Sequence, residues 1–127
     1  MAARMARLVL FVVLCLAAAV GRAAAGGELV MFHSSSCPWC AAWDREIGPV
    51  YDRTAEGRTL PLRRIDADRE TTGGVRLRTP VEYTPTFVVV ACGRELGRIT
   101  GYPGEDHFWG LLGVEIERNR AALAAAC

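Results

Sequence analysis

Two cysteines, Cys37 and Cys40, stand two residues apart in the stretch MFHSSSCPWCAAW, directly after an apolar run. Such a Cys-x-x-Cys pair can be a reactive dithiol, half of a metal site or an inert disulfide. A zinc site requires four ligands, so the pair would need two more. The residues that could supply them are His33, His107, Cys92 and Cys127. Because a pair at a helix start after a strand is typical of redox centres, the sequence favours the dithiol.

The residues around the pair indicate which cysteine reacts first. A cysteine at a helix N-terminus faces unpaired backbone N–H groups, which favour the thiolate over the thiol. Pro38 suits the first helical position because its missing N–H would be unpaired there, so Cys37 is the predicted nucleophile. Cys40 follows about one helical turn later and is predicted to resolve a mixed disulfide by internal attack. Trp39 is expected to offer an apolar contact to a partner, with packing over the motif as the alternative.

The apolar runs of the sequence predict four strands. They cover residues 28–32, 60–65, 86–91 and 95–101, with Cys92-Gly93-Arg94 as a tight turn between the last two. Strands one and two are joined by a helix and should be parallel, whereas strands three and four should form an antiparallel hairpin. The sequence therefore predicts an α/β fold with a central mixed four-stranded sheet.

Helical patterns lie between and after these strands. One helix is predicted from Cys37 to near Gly57, bent or interrupted at Gly48-Pro49. A final helix is predicted from about Gly104 to Ala125, and residues 69–83 are allowed one short helix at most. The order is β-α-β-(α)-β-β-α, with helices expected on both faces of the sheet.

The first 25 residues are predicted to be a secretory signal peptide, and residues 26–127 one domain. Arg4 and Arg7 form a positive n-region, residues 8–20 are an apolar run, and residues 23–25 are a cleavage site of small residues. A membrane anchor is the alternative, but spanning a bilayer takes about 20 apolar residues and this run is shorter. We therefore expect a periplasmic protein that contacts the membrane only if the signal is uncleaved.

Composition argues against nucleic acid as a partner. The chain has 15 basic and 14 acidic residues, and its formal net charge is +1. The basic residues are all arginines and alternate with acids along the chain rather than clustering in a patch, so the electrostatic footprint of nucleic-acid binding is lacking. The sequence calls for no organic cofactor and no metal.

Two further cysteines, Cys92 and Cys127, are predicted to lie away from the pair. Strand three runs away from Pro85, so Cys92 at its far end should be roughly 20 Å from the pair and unable to resolve Cys37. The last helix runs in the same direction and brings the C-terminus toward Cys92. A Cys92–Cys127 disulfide is therefore feasible.

The Cys37-Pro38-Trp39-Cys40 motif after strand one, Thr84-Pro85 before strand three and the order of elements together resemble the thioredoxin superfamily. The resemblance covers almost all of residues 26–127 and implies a thioredoxin-like fold. It also implies that Pro85 is cis and packs beside the cysteine motif, and that Thr84 offers backbone hydrogen bonds to a bound substrate. An ordinary turn proline is the alternative. The candidate substrate contacts are Pro38, Trp39, Thr84 and Pro85.

Two longer runs, GRELGRITGYPGEDHFWGLL and WDREIGP, resemble the periplasmic thioredoxins of the bacterial Sox sulfur-oxidation system. This resemblance implies a thiol-disulfide oxidoreductase that restores the cysteine thiol of a sulfur-carrier protein. Its electrons would come from a membrane thiol transporter of the DsbD or CcdA type. The same residues would also serve a dithiol oxidase that donates disulfides, and a metal-binding carrier module is the alternative from another class.

The sequence departs from cytosolic thioredoxins at one position that matters for proton transfer. Those proteins carry a buried aspartate six residues before the first cysteine, and that position is Met31 here. The proton of Cys40 would then be handled by Glu28, Asp66 or water, or would need no such group.

Overall fold

The computed structural model describes residues 26–125 and Cys127, so the predicted signal peptide lies outside the described residues. The strands are β1 (Gly27–His33), β2 (Leu62–Asp66), β3 (Thr86–Ala91) and β4 (Arg94–Thr100). The helices are α1 (Pro38–Glu46), α2 (Ala55–Thr59), α3 (Glu105–Arg118) and α4 (Arg120–Ala124), with a 3-10 turn at Tyr51–Arg53. Within the described part of the chain, no helix is long and apolar enough to cross a membrane.

The four strands form one mixed sheet in the order β2-β1-β3-β4. β1 pairs with β2 in parallel and β3 pairs antiparallel with β4, as predicted, and β3 also pairs antiparallel with β1. Phe32 near the end of β1 lies opposite Thr86 at the start of β3, whereas Gly27 lies opposite Ala91. We call the end of the sheet at Phe32 the site end and the end at Gly27 the far end.

β3 is one of the two inner strands and is buried on both faces. Alternate side chains of a strand point to opposite faces, so Phe87 and Val89 contribute to one apolar cluster, and Val88 and Val90 to another. This double burial explains why the run TFVVVA is continuously apolar rather than alternating.

The described helices contribute to the cluster on one face only. At its centre Trp43 of α1 packs against Phe87 of the sheet and Phe108 of α3, at ring-centroid distances of 5.4 and 5.7 Å. On the other face, Val75, Leu77 and Val81 cover the sheet from an irregular segment. The short helix allowed for residues 69–83 is absent, and this segment takes its place.

The predicted interruption of the first helix at Gly48-Pro49 is present and divides it into two helices. α1 ends at Glu46 rather than near Gly57, because Pro49 lacks an N–H and cannot continue the helical hydrogen bonds. The chain re-enters helical structure at α2, where the Thr54 hydroxyl accepts a hydrogen bond from the Gly57 amide at 3.0 Å and caps the new helix.

The final helix is also divided, at Asn119. The side-chain amide of Asn119 donates to the Glu115 carbonyl at 2.9 Å. An asparagine side chain that binds the backbone locally competes with the regular helical pattern. The predicted helix to Ala125 is therefore α3 and α4, two helices on either side of Asn119.

Candidate active site

Cys37 and Cys40 form a disulfide at the N-terminus of α1, with their Cα atoms 5.2 Å apart. Cys37 is the N-cap residue, and its Sγ accepts a hydrogen bond from the Cys40 amide at 3.0 Å. Pro38 occupies the first helical turn, where no N–H is needed. Cys37 is partly accessible and Cys40 is only 3% exposed, so an incoming group reaches Cys37 first.

The loop between β1 and α1 holds the pair at the site end of the sheet. The Cys37 amide donates to the Ser34 carbonyl at 3.3 Å. The Ser34 hydroxyl in turn donates to Asp68, just beyond β2, at 2.8 Å. The parallel strands β1 and β2 thus end side by side and their following loops are joined, which fixes where α1 starts.

The Thr84–Pro85 peptide bond is cis, and Pro85 is buried at the start of β3. The Pro85 carbonyl accepts from the Gly101 amide at 2.7 Å, and the Thr86 hydroxyl donates to the Tyr83 carbonyl at 2.6 Å. Thr84 is half-buried, and its backbone N–H and carbonyl have no backbone partner among the described residues. The turn is therefore fixed on both sides of Thr84 and leaves the hydrogen-bonding groups of Thr84 available.

Two exposed aromatic side chains lie at the site end. Trp39 is 64% exposed, as the sequence predicted, and borders a hollow of about 230 Å³ formed with residues 100–103. Tyr83 is 67% exposed and borders a second hollow of about 400 Å³. Thr100 lines both hollows, so they adjoin. The sequence analysis missed Tyr83, although its place directly before Thr84-Pro85 could have indicated it.

Tyr102 connects the end of β4 to α1. It is 7% exposed, and its hydroxyl donates a hydrogen bond to the Glu46 carboxylate. Burial, and then the bond to Glu46, raise the pKa of Tyr102 above its usual value. Tyr102 therefore stays a neutral donor and holds the loop beside Trp39 against the end of α1.

Of the candidate replacements for the missing aspartate, Glu28 is excluded by its position. Met31 is fully buried and belongs to the same apolar cluster as Cys40. Glu28 lies near the far end of the sheet, where it forms a bidentate ion pair with Arg63 at 2.7 and 3.0 Å. Asp66 accepts a hydrogen bond from the Asp68 amide at the end of β2. Glu28, at the far end of the sheet, is therefore not placed to handle the proton of Cys40.

The histidines and the other cysteines are not gathered around the pair. His33 ends β1 and His107 lies exposed on α3. In residues 26–125 and 127, no group of three or more His, Cys, Asp or Glu side chains could hold a metal ion.

Cys92 and Cys127 form a second disulfide, with Cα atoms 5.5 Å apart, a pairing that the sequence allowed but left open. Cys92 follows β3 directly and therefore lies at the far end of the sheet. The length of β3 separates it from the site end, roughly 20 Å. The two disulfides are spatially distinct.

A mixed four-stranded sheet with a Cys-x-x-Cys disulfide at the first helix after β1 defines the class of thioredoxin-fold thiol-disulfide oxidoreductases. The family model described as "Thioredoxin-like domain" matches residues 17–114. No curated protein matches the chain. The chain belongs to the thioredoxin-like family and is a thiol-disulfide oxidoreductase.

The solved structures that are similar to this chain include two thioredoxins. The periplasmic thioredoxin SoxS from Paracoccus pantotrophus, in its reduced form, is 44% identical, with a TM-score of 0.69 over 72% of this chain and 97% of that one. A thioredoxin from Malassezia sympodialis is 18% identical, with a TM-score of 0.51 over 74% of this chain and 78% of that one. At that identity the second likeness shows the fold alone.

Proposed function

We propose that this oxidoreductase is a periplasmic reductase that keeps a partner protein's cysteine in the thiol state. The observation that carries the exchange chemistry is the unequal burial of the two cysteines at the start of α1, where Cys37 is reachable and Cys40 is 3% exposed. The reductive direction rests on the resemblance to the Sox thioredoxins. The backbone N–H groups of the helix N-terminus stabilise a thiolate on Cys37, whereas burial keeps the Cys40 thiol neutral. The reduced pair is therefore poised to attack through Cys37.

The reaction consists of two exchanges. The Cys37 thiolate attacks one sulfur of the partner's disulfide, forms a mixed disulfide and releases the other sulfur as a thiolate. Cys40, deprotonated during the second exchange, attacks the Cys37 sulfur and releases the partner's second thiolate. Two electrons pass to the partner, and the Cys37–Cys40 disulfide seen in the structure is the product state.

Four residues are proposed to hold the partner during these steps. Pro38 and Trp39 are exposed beside Cys37, and Trp39 offers apolar area that a partner can cover. Thr84 has its backbone N–H and carbonyl free for an extended segment of the partner, and the buried Pro85 fixes the turn that presents them.

The proposed partner is a sulfur-carrier protein of sulfur oxidation. The support is the sequence resemblance to the Sox thioredoxins and the 44% identity to a periplasmic thioredoxin. On this proposal residues 1–25 direct export, the domain works in the periplasm, and a membrane thiol transporter of the DsbD or CcdA type returns the two electrons.

The reduction potential of the Cys37–Cys40 couple tests the direction of electron flow. Domain 26–127 is equilibrated against dithiothreitol or glutathione and followed by tryptophan fluorescence. A potential near the roughly −270 mV of thioredoxin supports a reductase, whereas one near the roughly −120 mV of strong oxidants would make the protein a donor of disulfides. A variant with both Cys92→Ser and Cys127→Ser serves as the control that assigns the signal to Cys37–Cys40.

Trapping the mixed disulfide tests the partner. In the Cys40→Ser variant the second exchange is blocked, so a partner should remain bound to Cys37 and be released by dithiothreitol. The carrier alternative predicts instead that the wild type binds stoichiometric metal and that Cys40→Ser traps nothing.

A further inference from the structure

The segment that leads to the Thr84–Pro85 turn lies along the free edge of β4. The Arg76 amide donates to the Gly93 carbonyl at 2.8 Å, and the Glu95 amide donates to the Arg76 carbonyl at 3.1 Å. This single bridge runs parallel to β4 and is the only isolated bridge in the described part of the chain. Backbone pairing alone therefore does not fix the segment beyond Arg76.

An ion pair on β4 between the buried Glu95 and the partly exposed Arg98 holds the next residues of the segment. Glu95 is 4% exposed, and its two carboxylate oxygens accept from Arg98 at 2.6 and 2.8 Å. The same carboxylate accepts from the Arg78 amide at 2.8 Å. The Arg98 guanidinium also donates to the carbonyls of Thr79 and Pro80, at 2.8 and 3.3 Å. The pair thus binds three consecutive residues of the segment through their backbone.

The cost of burying the Glu95 carboxylate suggests that the ion pair has a purpose besides packing. A buried charge is costly unless it is paired and hydrogen-bonded, and an apolar pair of similar volume often stabilises a protein as well or better. Here the planar Arg98 guanidinium, which has five N–H donors, binds one carboxylate and two carbonyls at the same time. An apolar side chain could make none of these hydrogen bonds.

The bound residues end close to the substrate turn. Pro80 is held by Arg98, and Pro85 is held by the Gly101 amide at 2.7 Å. Only residues 81–84 lie between these two anchors, and they include the exposed Tyr83 and the free backbone groups of Thr84. Because so few residues intervene, the position of Pro80 restricts where Thr84 can lie.

We propose that Glu95 and Arg98 are positioning residues for substrate docking: they fix residues 78–80 along β4 and so set the Tyr83–Thr84–Pro85 turn beside Cys37. This inference rests on the proposed function, because it assumes that a protein substrate contacts the turn. Substrates that are too small to contact the turn do not depend on it.

The test compares Arg98→Lys with a matched control. Lysine keeps a positive charge beside Glu95, but one ammonium group cannot bind the carboxylate and both carbonyls together. Arg63→Lys removes a similar set of hydrogen bonds away from the turn. Arg63 forms a bidentate pair with Glu28 and donates to the Gly73 carbonyl at 2.9 Å. Gly73 lies well before the turn, so the control disturbs a comparable arginine without disturbing residues 78–80.

Two disulfides of different size provide the kinetic readout: insulin is reduced catalytically with dithiothreitol as the reductant, and 5,5′-dithiobis(2-nitrobenzoate), which dithiothreitol reduces directly, is reduced in a single turnover by pre-reduced protein freed of dithiothreitol. With insulin, Arg98→Lys should raise KM about tenfold and leave kcat unchanged, because docking is lost and chemistry is not. With 5,5′-dithiobis(2-nitrobenzoate) the variant should match the wild type, as should the reduction potential of the couple. Unchanged insulin kinetics, an equal loss with both disulfides, or the same loss in Arg63→Lys would overturn the inference.

Hydrogen exchange of the oxidised protein gives a readout that needs no turnover. The amides of residues 78–84 should exchange about tenfold faster in Arg98→Lys and remain unchanged in Arg63→Lys. Equal exchange in Arg98→Lys and the wild type would overturn the inference. If the wild type reduced neither disulfide, the proposed function would be contradicted. The hydrogen-exchange rates would still decide whether Arg98 positions the turn. Glu95→Gln, which keeps an acceptor for the Arg78 amide, replaces Arg98→Lys if that variant does not fold.

Discussion

Cys37–Cys40 joins residues three positions apart at the start of a helix, whereas Cys92–Cys127 joins a hairpin turn to the C-terminus across 35 positions. The first closes a loop too short to restrict the unfolded chain greatly, and the second restricts about a third of the described domain. The first also has a helix N-terminus against Cys37 and an apolar cluster around Cys40. Cys92 has neither, since it lies exposed in a two-residue turn.

The comparison shows that the surroundings, and not the presence of a disulfide, decide what a cysteine pair does. A pair suited to exchange needs one reachable sulfur that is stabilised as a thiolate and a second sulfur close behind it. A pair suited to structure needs a long intervening chain. The fold places one of each at opposite ends of the same sheet, so variants at the two ends should affect different properties.

The largest expected effect is on activity, at the site end. Cys37→Ser removes the attacking sulfur and should reduce insulin turnover to the uncatalysed background. Cys127→Ser, which breaks the far disulfide, should keep nearly full turnover per folded molecule. Comparable loss of activity in Cys127→Ser at a temperature where that variant is folded would contradict the separation of roles.

The next effect is on stability, at the far end. Loop-closure entropy for a separation of 35 residues predicts that Cys127→Ser lowers the free energy of unfolding by up to about 4 kcal/mol. The double variant Cys37→Ser, Cys40→Ser should lose about 2 kcal/mol or less, because its loop is so short. Urea unfolding of the oxidised proteins measures both, and equal losses would remove the distinction.

Packing at the far end should contribute less to the free energy of unfolding than the disulfide does. Leu123 of α4 is 7% exposed and packs in the cluster that includes Leu60. Leu123→Ala should cost about 2 kcal/mol, the low end for a buried leucine, because the site borders solvent. The matched control is Leu111→Ala on α3, which is 44% exposed and should change stability by less than about 0.5 kcal/mol. If the two variants were equally stable, α4 would be held by the disulfide alone.

The smallest effect concerns pH and the ion pair on β4. Burial acts to raise the pKa of Glu95, but the hydrogen bond from Arg98, the bond from the Arg78 amide and their charges lower it below the usual value. Because the folded pKa lies below the unfolded one, the stabilisation is present above about pH 4.3 and is lost as the pH falls. Thermal unfolding between pH 3 and 7 should show a shallower acid loss in Glu95→Gln than in the wild type. If the stability of both proteins fell equally with decreasing pH, Glu95 would not be responsible for the loss of stability in acid.

The features that sequence analysis predicted best depend on neighbouring residues. The four strands follow from apolar runs, the parallel β1–β2 pairing from the helix between them and the β3–β4 pairing from a short turn. β3 has the predicted bounds, Thr86–Ala91. Pro38 directly after Cys37 indicates where α1 starts, and this signal lies within the four-residue motif itself. The six candidate site residues come from two such local motifs, and the structure places both at the site end of the sheet.

The predicted helix ends differ from those in the structure where helix continuation competes with another interaction of the same backbone. The break after Glu46 depends on Pro49 and on the new cap at Thr54, and the break at Asn119 depends on one side-chain amide that binds the backbone. The apolar pattern continues through both breaks, so periodicity alone predicts longer helices.

By itself the sequence determined the four strands, the start of the helix that carries Cys37, and the identity of the reactive pair, because each depends on residues close in sequence. Only the tertiary structure decided which groups surround Cys40, what holds the Thr84–Pro85 turn, and that Cys92 meets Cys127. Those contacts join segments 17 to 35 residues apart, such as Glu95 with Arg78 and Glu28 with Arg63. Whether such pairs meet depends on the packing of the whole chain, and no local pattern encodes it.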